Sequence, residues 1–122
     1  MTFIKGEDRL TKVEKPWGHE LIFAKTGDYV GKVLFIRKGH KLSLQYHQIK
    51  EETILLHAGE MIFTVEEGGA LVQKRLRPGQ GHHIPPGMKH RMEAVEDCTV
   101  FEVSTPQLDD VVRIEDAYGR VG

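Results

Sequence analysis

Over most of its length this chain offers only short apolar or alternating runs, each closed within about ten residues by glycine, proline or an acidic pair, and such spacing suits strands rather than helices. Residues 21–24 follow the rigid turn Lys15-Pro16-Trp17-Gly18, and residues 33–37 end at Lys38-Gly39. Two apolar runs flank Ala58-Gly59-Glu60, a hairpin signal. Glu66-Glu67-Gly68-Gly69, Arg77-Pro78-Gly79-Gln80-Gly81, Pro85-Pro86-Gly87 and Glu96-Asp97 punctuate the rest, and the last long strand stops at Thr105-Pro106. The pattern predicts an all-β sandwich or barrel. Only residues 108–118 leave a choice open, between a helical turn and a returning strand.

At 122 residues the chain has the size of one domain, taken as 1–122, and the mixed polar stretch 1–12 reads as a flexible arm or an edge strand. Seventeen basic and eighteen acidic residues leave a net charge of -1, which argues against nucleic acid or an anionic membrane as the main partner. Any anion site must then be a local cluster. No stretch approaches the roughly 20 apolar residues of a membrane span. One cysteine, Cys98, cannot form an internal disulfide, and the first ten residues lack the apolar run of a signal peptide, so a cytoplasmic location is expected. Trp17 is expected to pack over one end of the barrel.

Between Lys41 and His47, polar and apolar residues alternate strictly: Lys41, Ser43, Gln45 and His47 on one parity, Leu42, Leu44 and Tyr46 on the other. Alone, this is a half-buried surface strand. Further along, a Pro/Gly turn runs directly into His90. Gln45, His47, Glu52 and His90 all carry oxygen or nitrogen donors suited to a divalent metal.

The order and spacing of these residues resemble the two motifs of the cupin superfamily. Gly39, Gln45-Tyr46-His47, Glu52 and Gly59 match the first, with Gln where many members have histidine, and Gly79, Pro85, Gly87 and His90 match the second. Lys15-Pro16-Trp17-Gly18, Leu42-Ser43-Leu44-Gln45, the run from Ile84 to Arg91 and the ending from Arg113 to Arg120 resemble, more narrowly, the cupin domain of type II mannose-6-phosphate isomerases. That domain commonly follows a mannose-1-phosphate guanylyltransferase domain, of which no segment is expected in this chain. The resemblance implies a double-stranded β-helix, or jelly-roll barrel, which closes the sheet edges.

In such a barrel the parity of Lys41, Gln45 and His47 would face inward, where unpartnered polar side chains cost roughly 1–3 kcal/mol each. The resemblance implies a metal held by Gln45, His47, Glu52 and His90, with Zn, Mn, Fe, Co and Ni all compatible with the donors. It further implies an aldose–ketose isomerase acting on a sugar phosphate. The base would be His83 or a loosely held Glu52, and Lys41, Lys89 and Arg91 would bind substrate, with Arg113 a further cation near the motifs. Ala94, Gln48, Ile49 and Thr53 depart from the family pattern beside the ligands. They keep open a non-catalytic sugar or sugar-nucleotide binder, and the His47, Glu52, His90 set keeps open an Fe-dependent oxygenase. Exposed sheet edges and the arm point to a homodimer, beneath whose cover Leu42, Leu44 and Tyr46 would pack.

Overall fold

A computed structural model describes residues 10–121. The described residues form eleven strands and no helix: β1 (Thr11–Lys15), β2 (Gly18–Lys25), β3 (Val30–Ile36), β4 (Leu44–Tyr46), β5 (Glu52–Ala58), β6 (Met61–Glu67), β7 (Ala70–Leu76), β8 (Gly81–Ile84), β9 (His90–Ala94), β10 (Cys98–Ser104) and β11 (Val112–Glu115). They pair antiparallel into a six-stranded sheet of order β1-β2-β3-β10-β5-β8 and a five-stranded sheet of order β11-β4-β9-β6-β7. The open choice in the tail resolves as a strand, because β11 pairs with β4. Of the expected arm, residues 1–9 lie outside the described residues, and Thr11 already opens β1.

Period-two burial builds the interior. Along β5, Glu52, Ile54 and Leu56 are buried while Thr53, Leu55 and His57 are exposed, and β10 buries Cys98, Val100, Glu102 and Ser104 in the same way. Register then sorts the interior into levels. Val100 stands opposite Leu34 and Leu56, in an apolar region with Met61, Phe63 and Trp17, whereas Glu102 stands opposite Lys32 and Ser104 opposite Glu52. One end of the barrel is therefore a packed plug and the other a polar cavity. Trp17 is buried, as expected, and also lines that cavity.

The strand expected over 41–47 is interrupted. Lys41 bridges Glu93, yet Gln45 faces His90: four steps on one strand against three on its neighbour, hence one extra residue. Such a bulge shifts the alternation across it. Leu42 joins the core and lines the cavity, Gln45 and His47 line it from beyond the bulge, and Lys41 is not among the lining residues. The expectation that Lys41 faces inward and Leu42 outward is corrected accordingly.

Candidate functional site

Three short segments bring the site together. His47 lies one residue past β4, Glu52 opens β5 and His90 opens β9, so each is fixed where a strand begins or ends. All three are buried, and one donor atom from each falls within 4.8 Å of the other two. Glu52 Oε1 lies 3.2 Å from His90 Nε2 and 3.6 Å from His47 Nε2.

The far side of each imidazole sets its tautomer. His47 Nδ1 lies 2.5 Å from the Asp110 carbonyl oxygen and His90 Nδ1 lies 2.9 Å from that of Met88. A carbonyl only accepts, so Nδ1 carries the hydrogen in both rings and Nε2 presents a lone pair. Both Nε2 atoms are buried without a hydrogen-bond partner. Two such lone pairs converging on a carboxylate oxygen are a poor arrangement unless a cation sits among them, and this donor set fits a divalent metal. Gln45 lines the same cavity, opposite His90 across the β4–β9 pair, with its Oε1 accepting a 2.6 Å hydrogen bond from Ser43 Oγ.

Charge continues inward from Glu52. Lys50 Nζ lies 3.0 Å from Glu52 and 3.2 Å from Glu102, and Lys32 Nζ lies 3.2 Å from Glu20, all five being buried. Burial works to raise the Glu52 pKa, yet hydrogen bonds from the His47 and His90 rings in their doubly protonated form, together with the Lys50 ammonium, hold it well below the usual carboxylate range. For Glu102, burial and then the charge of Glu52 push the pKa up against the pull of Lys50 and Lys32. Burial disfavours the Lys50 charge as well, but Glu102 and Glu52 outweigh it and the pKa is raised. With three carboxylates against two ammoniums, the buried set carries one excess negative charge when ionised, which suits a cation beside it.

The cavity enclosed by these groups measures about 240 Å³, and the tail forms part of its wall through Leu108, Asp109, Val111, Arg113 and Arg120. Arg120 is held on both oxygens of Asp116. Arg113, in contrast, has a buried Nε without a hydrogen-bond partner, and no ion pair involving it occurs among the described residues.

The sequence-predicted residues divide cleanly. His47, Glu52 and His90 are brought together, and Gln45 stands opposite His90 on the neighbouring strand and lines the cavity with His47 and Glu52. His83 is not: its side chain is exposed on β8, 2.5 Å from Glu51, outside the cavity. Lys89 does not line the cavity, and Arg91 is engaged with the Leu42 and Glu115 carbonyls. Lys50, Glu20, Lys32, Glu102 and Asp110 carry no motif signal in the sequence, yet the structure places them in or beside the site. A charge inside the apolar runs of β3 and β10 was the available signal, but those runs are apolar on both parities, so the pattern does not say which face is inside.

A jelly-roll barrel of two antiparallel sheets, with a histidine and glutamate cluster at one end, defines a cupin. The chain belongs to the family described as mannose-6-phosphate isomerase C-terminal, whose family model matches residues 5–116. It is 32% identical over 114 residues to the xanthan biosynthesis protein XanB of Xanthomonas campestris pv. campestris, covering 89% of this chain and 24% of that protein. Against the mannose-1-phosphate guanylyltransferase ManC of Salmonella typhimurium it is 31% identical over 115 residues, covering 90% and 23%. The chain thus spans about a quarter of the length of these curated relatives. Among solved structures, KdgF from Halomonas sp. superposes with a TM-score of 0.69 at 26% identity, over 89% of this chain and 97% of KdgF. Bacillus subtilis oxalate decarboxylase, described with Mn(II) centres, shares the fold with a TM-score of 0.72 at 18% identity, over 84% of this chain and 29% of the enzyme.

Proposed function

We propose that this cupin binds a divalent metal through His47, Glu52 and His90, with Gln45 as a fourth donor, and isomerises a small sugar phosphate of the mannose 6-phosphate type. The observation that carries the reading is the pair of buried, unpartnered Nε2 atoms facing Glu52 in a polar cavity whose wall holds an Arg113 without an acidic partner. A bound metal would supply Lewis-acid polarisation of the sugar oxygens. His47 and His90 keep their lone pairs directed inward through Nδ1, and Lys50 holds the buried Glu52 carboxylate in place. Arg113 offers a guanidinium fork suited to phosphate oxygens. Glu102, with its pKa raised in the same cavity, is the carboxylate suited to take the proton from C2 of the aldose and return it to C1. The ligand is a small molecule, not nucleic acid or a membrane, in keeping with the near-neutral charge. A cytoplasmic homodimer is the expected setting.

Metal-loaded protein should convert mannose 6-phosphate to fructose 6-phosphate, followed by NMR of the two sugars. Arg113→Met should raise the KM for the phosphorylated sugar at least tenfold, equivalent to about 1.4 kcal/mol, and leave metal content unchanged. No turnover with any metal would remove the isomerase reading, and an unchanged KM would remove the role of Arg113.

A binding module without turnover is the second reading. It is favoured by the mutual pairing of the buried charges in the wall, Glu20 with Lys32 and Lys50 with Glu52 and Glu102, which leaves none of these three carboxylates free of an ammonium. Calorimetric binding of the sugar phosphate in the absence of turnover would establish it.

A further inference from the structure

The turn Lys15-Pro16-Trp17-Gly18, which joins β1 to β2, holds a cation with no part in the metal site. Along β1, Lys12 and Glu14 are exposed while Val13 and Lys15 are half-buried, and Lys15 lines the cavity. The turn beyond it is fixed, because the Arg37 guanidinium donates to the Pro16 carbonyl at 2.8 Å and the Arg37 amide donates to the Trp17 carbonyl at 3.0 Å. Of the other cations in the cavity wall, Lys32 is paired with Glu20, Lys50 with Glu52 and Glu102, and Arg120 with Asp116. Lys15 and Arg113 make no ion pair among the described residues, and the Arg113 Nε is buried without a hydrogen-bond partner. Asp109, the acid of that wall outside these pairs, is exposed.

We infer that Lys15 joins Arg113 in a clip for the phosphate of the ligand, and that Lys15 thereby selects a phosphorylated over a neutral sugar. The two cations come from edge strands of different sheets, β1 and β11. At the other edges the sheets meet directly, since His82 of β8 packs on Phe63 and approaches Glu67, both of β6. β1 and β11 therefore flank the opposite seam, where no strand pairing joins them among the described residues. Across it, Lys15 and Arg113 share a cavity of about 240 Å³ whose wall also carries Trp17, Leu34, Leu42 and Met92. Two unpaired cations in such a space repel each other, and an anion between them removes the repulsion and is held more strongly than in water. A phosphate monoester carries about two negative charges at pH 7 and matches the pair, whereas a hydroxyl leaves both cations uncompensated. Arg113 stands opposite Gln45, which stands opposite His90. Those two strand spacings, about 10 Å in all, separate the clip from the metal donors, which suits a sugar carrying its phosphate on the carbon remote from its carbonyl end.

The assignment rests on the reading of the ligand as a sugar phosphate, and its test needs no turnover. Inorganic phosphate is the probe, titrated calorimetrically into the metal-loaded full chain. Lys15→Met, which keeps the stem and removes the charge, should weaken phosphate binding by about tenfold or more, the loss of one charge-assisted hydrogen bond. Lys15→Arg should restore it, and metal content should be the same in all three proteins. An unchanged phosphate affinity in Lys15→Met overturns the clip, because phosphate held by the metal alone would not sense that residue. Absence of phosphate binding by the wild type overturns it without any variant. Phosphate binding that depends on Lys15 in a protein that leaves mannose 6-phosphate unconverted supports the clip and removes only the isomerase reading. Conversion of mannose 6-phosphate with the same KM in the wild type and Lys15→Met overturns the clip and leaves that reading standing.

Discussion

At the scale of single residues, Asp110 shows how a surface side chain can govern a buried one. Its carboxylate accepts hydrogen bonds from the backbone amides of Gln48, Ile49 and Lys50 at 3.0, 2.7 and 2.8 Å, and its own carbonyl accepts from His47 Nδ1. The three amides hold its pKa below the ordinary carboxylate value. The turn after His47 and the ring of His47 are therefore clamped by one residue from the tail. Asp110→Ala keeps the carbonyl to which His47 Nδ1 donates and removes only the carboxylate that holds the turn in place. It should weaken metal binding by up to about tenfold, the low end of what loss of a direct outer partner costs, read by chelator competition. An affinity equal to the wild type would show that the clamp does not orient the ligand.

At the scale of elements, turns and the bulge decide where strands begin, and the site is built from strand beginnings. Gly59, between β5 and β6, has φ near +98°, and a Cβ there would lie 2.2 Å from the Asp97 carbonyl oxygen. Backbone blocks relief, because the obstacle is a carbonyl of the neighbouring Glu96-Asp97 turn. Gly59→Ala should lower stability by roughly 1–3 kcal/mol, seen as a lower urea midpoint. Metal content should persist in the folded fraction, since this turn, which connects the two sheets rather than closing the hairpin expected from the sequence, lies at the apolar end of the barrel. A midpoint within error of the wild type would mean that the two turns separate freely.

At the scale of the whole molecule, carboxylates whose pKa values shift in opposite directions shape the response to acid. Two hydrogen bonds from Arg120 hold Asp116 at about 2, against an ordinary value of 3.8, with burial opposing. A depressed carboxylate contributes stability that is present above the unfolded value and lost as pH falls through the folded one. Asp116 thus secures the tail above pH 3.8 and releases it by about pH 2. Glu102 has the opposite sign: burial raises its pKa, so its ionisation takes stability away as pH rises. The wild-type urea midpoint should fall between pH 3.8 and about 2, and Asp116→Asn should flatten that portion of the curve. An identical pH profile for the two proteins would count against the tail as an acid-sensitive wall.

The sequence by itself determined the strand count almost throughout, because glycine, proline and acidic turns restrict the backbone locally. Through the resemblance of its two motifs to those of cupins it also pointed to the cluster of His47, Glu52 and His90, each of which stands at a strand end. Tertiary structure alone decided which cations face the cavity. Lys41 keeps perfect alternation in the sequence, yet one extra residue opposite β9 shifts the pattern, and pairing register is a property of two strands that neither contains by itself. The same holds for Lys32, Glu102 and Lys50. They are single charges in chain order, and they become a buried network only when β3, β10 and the turn after β4 meet across the barrel.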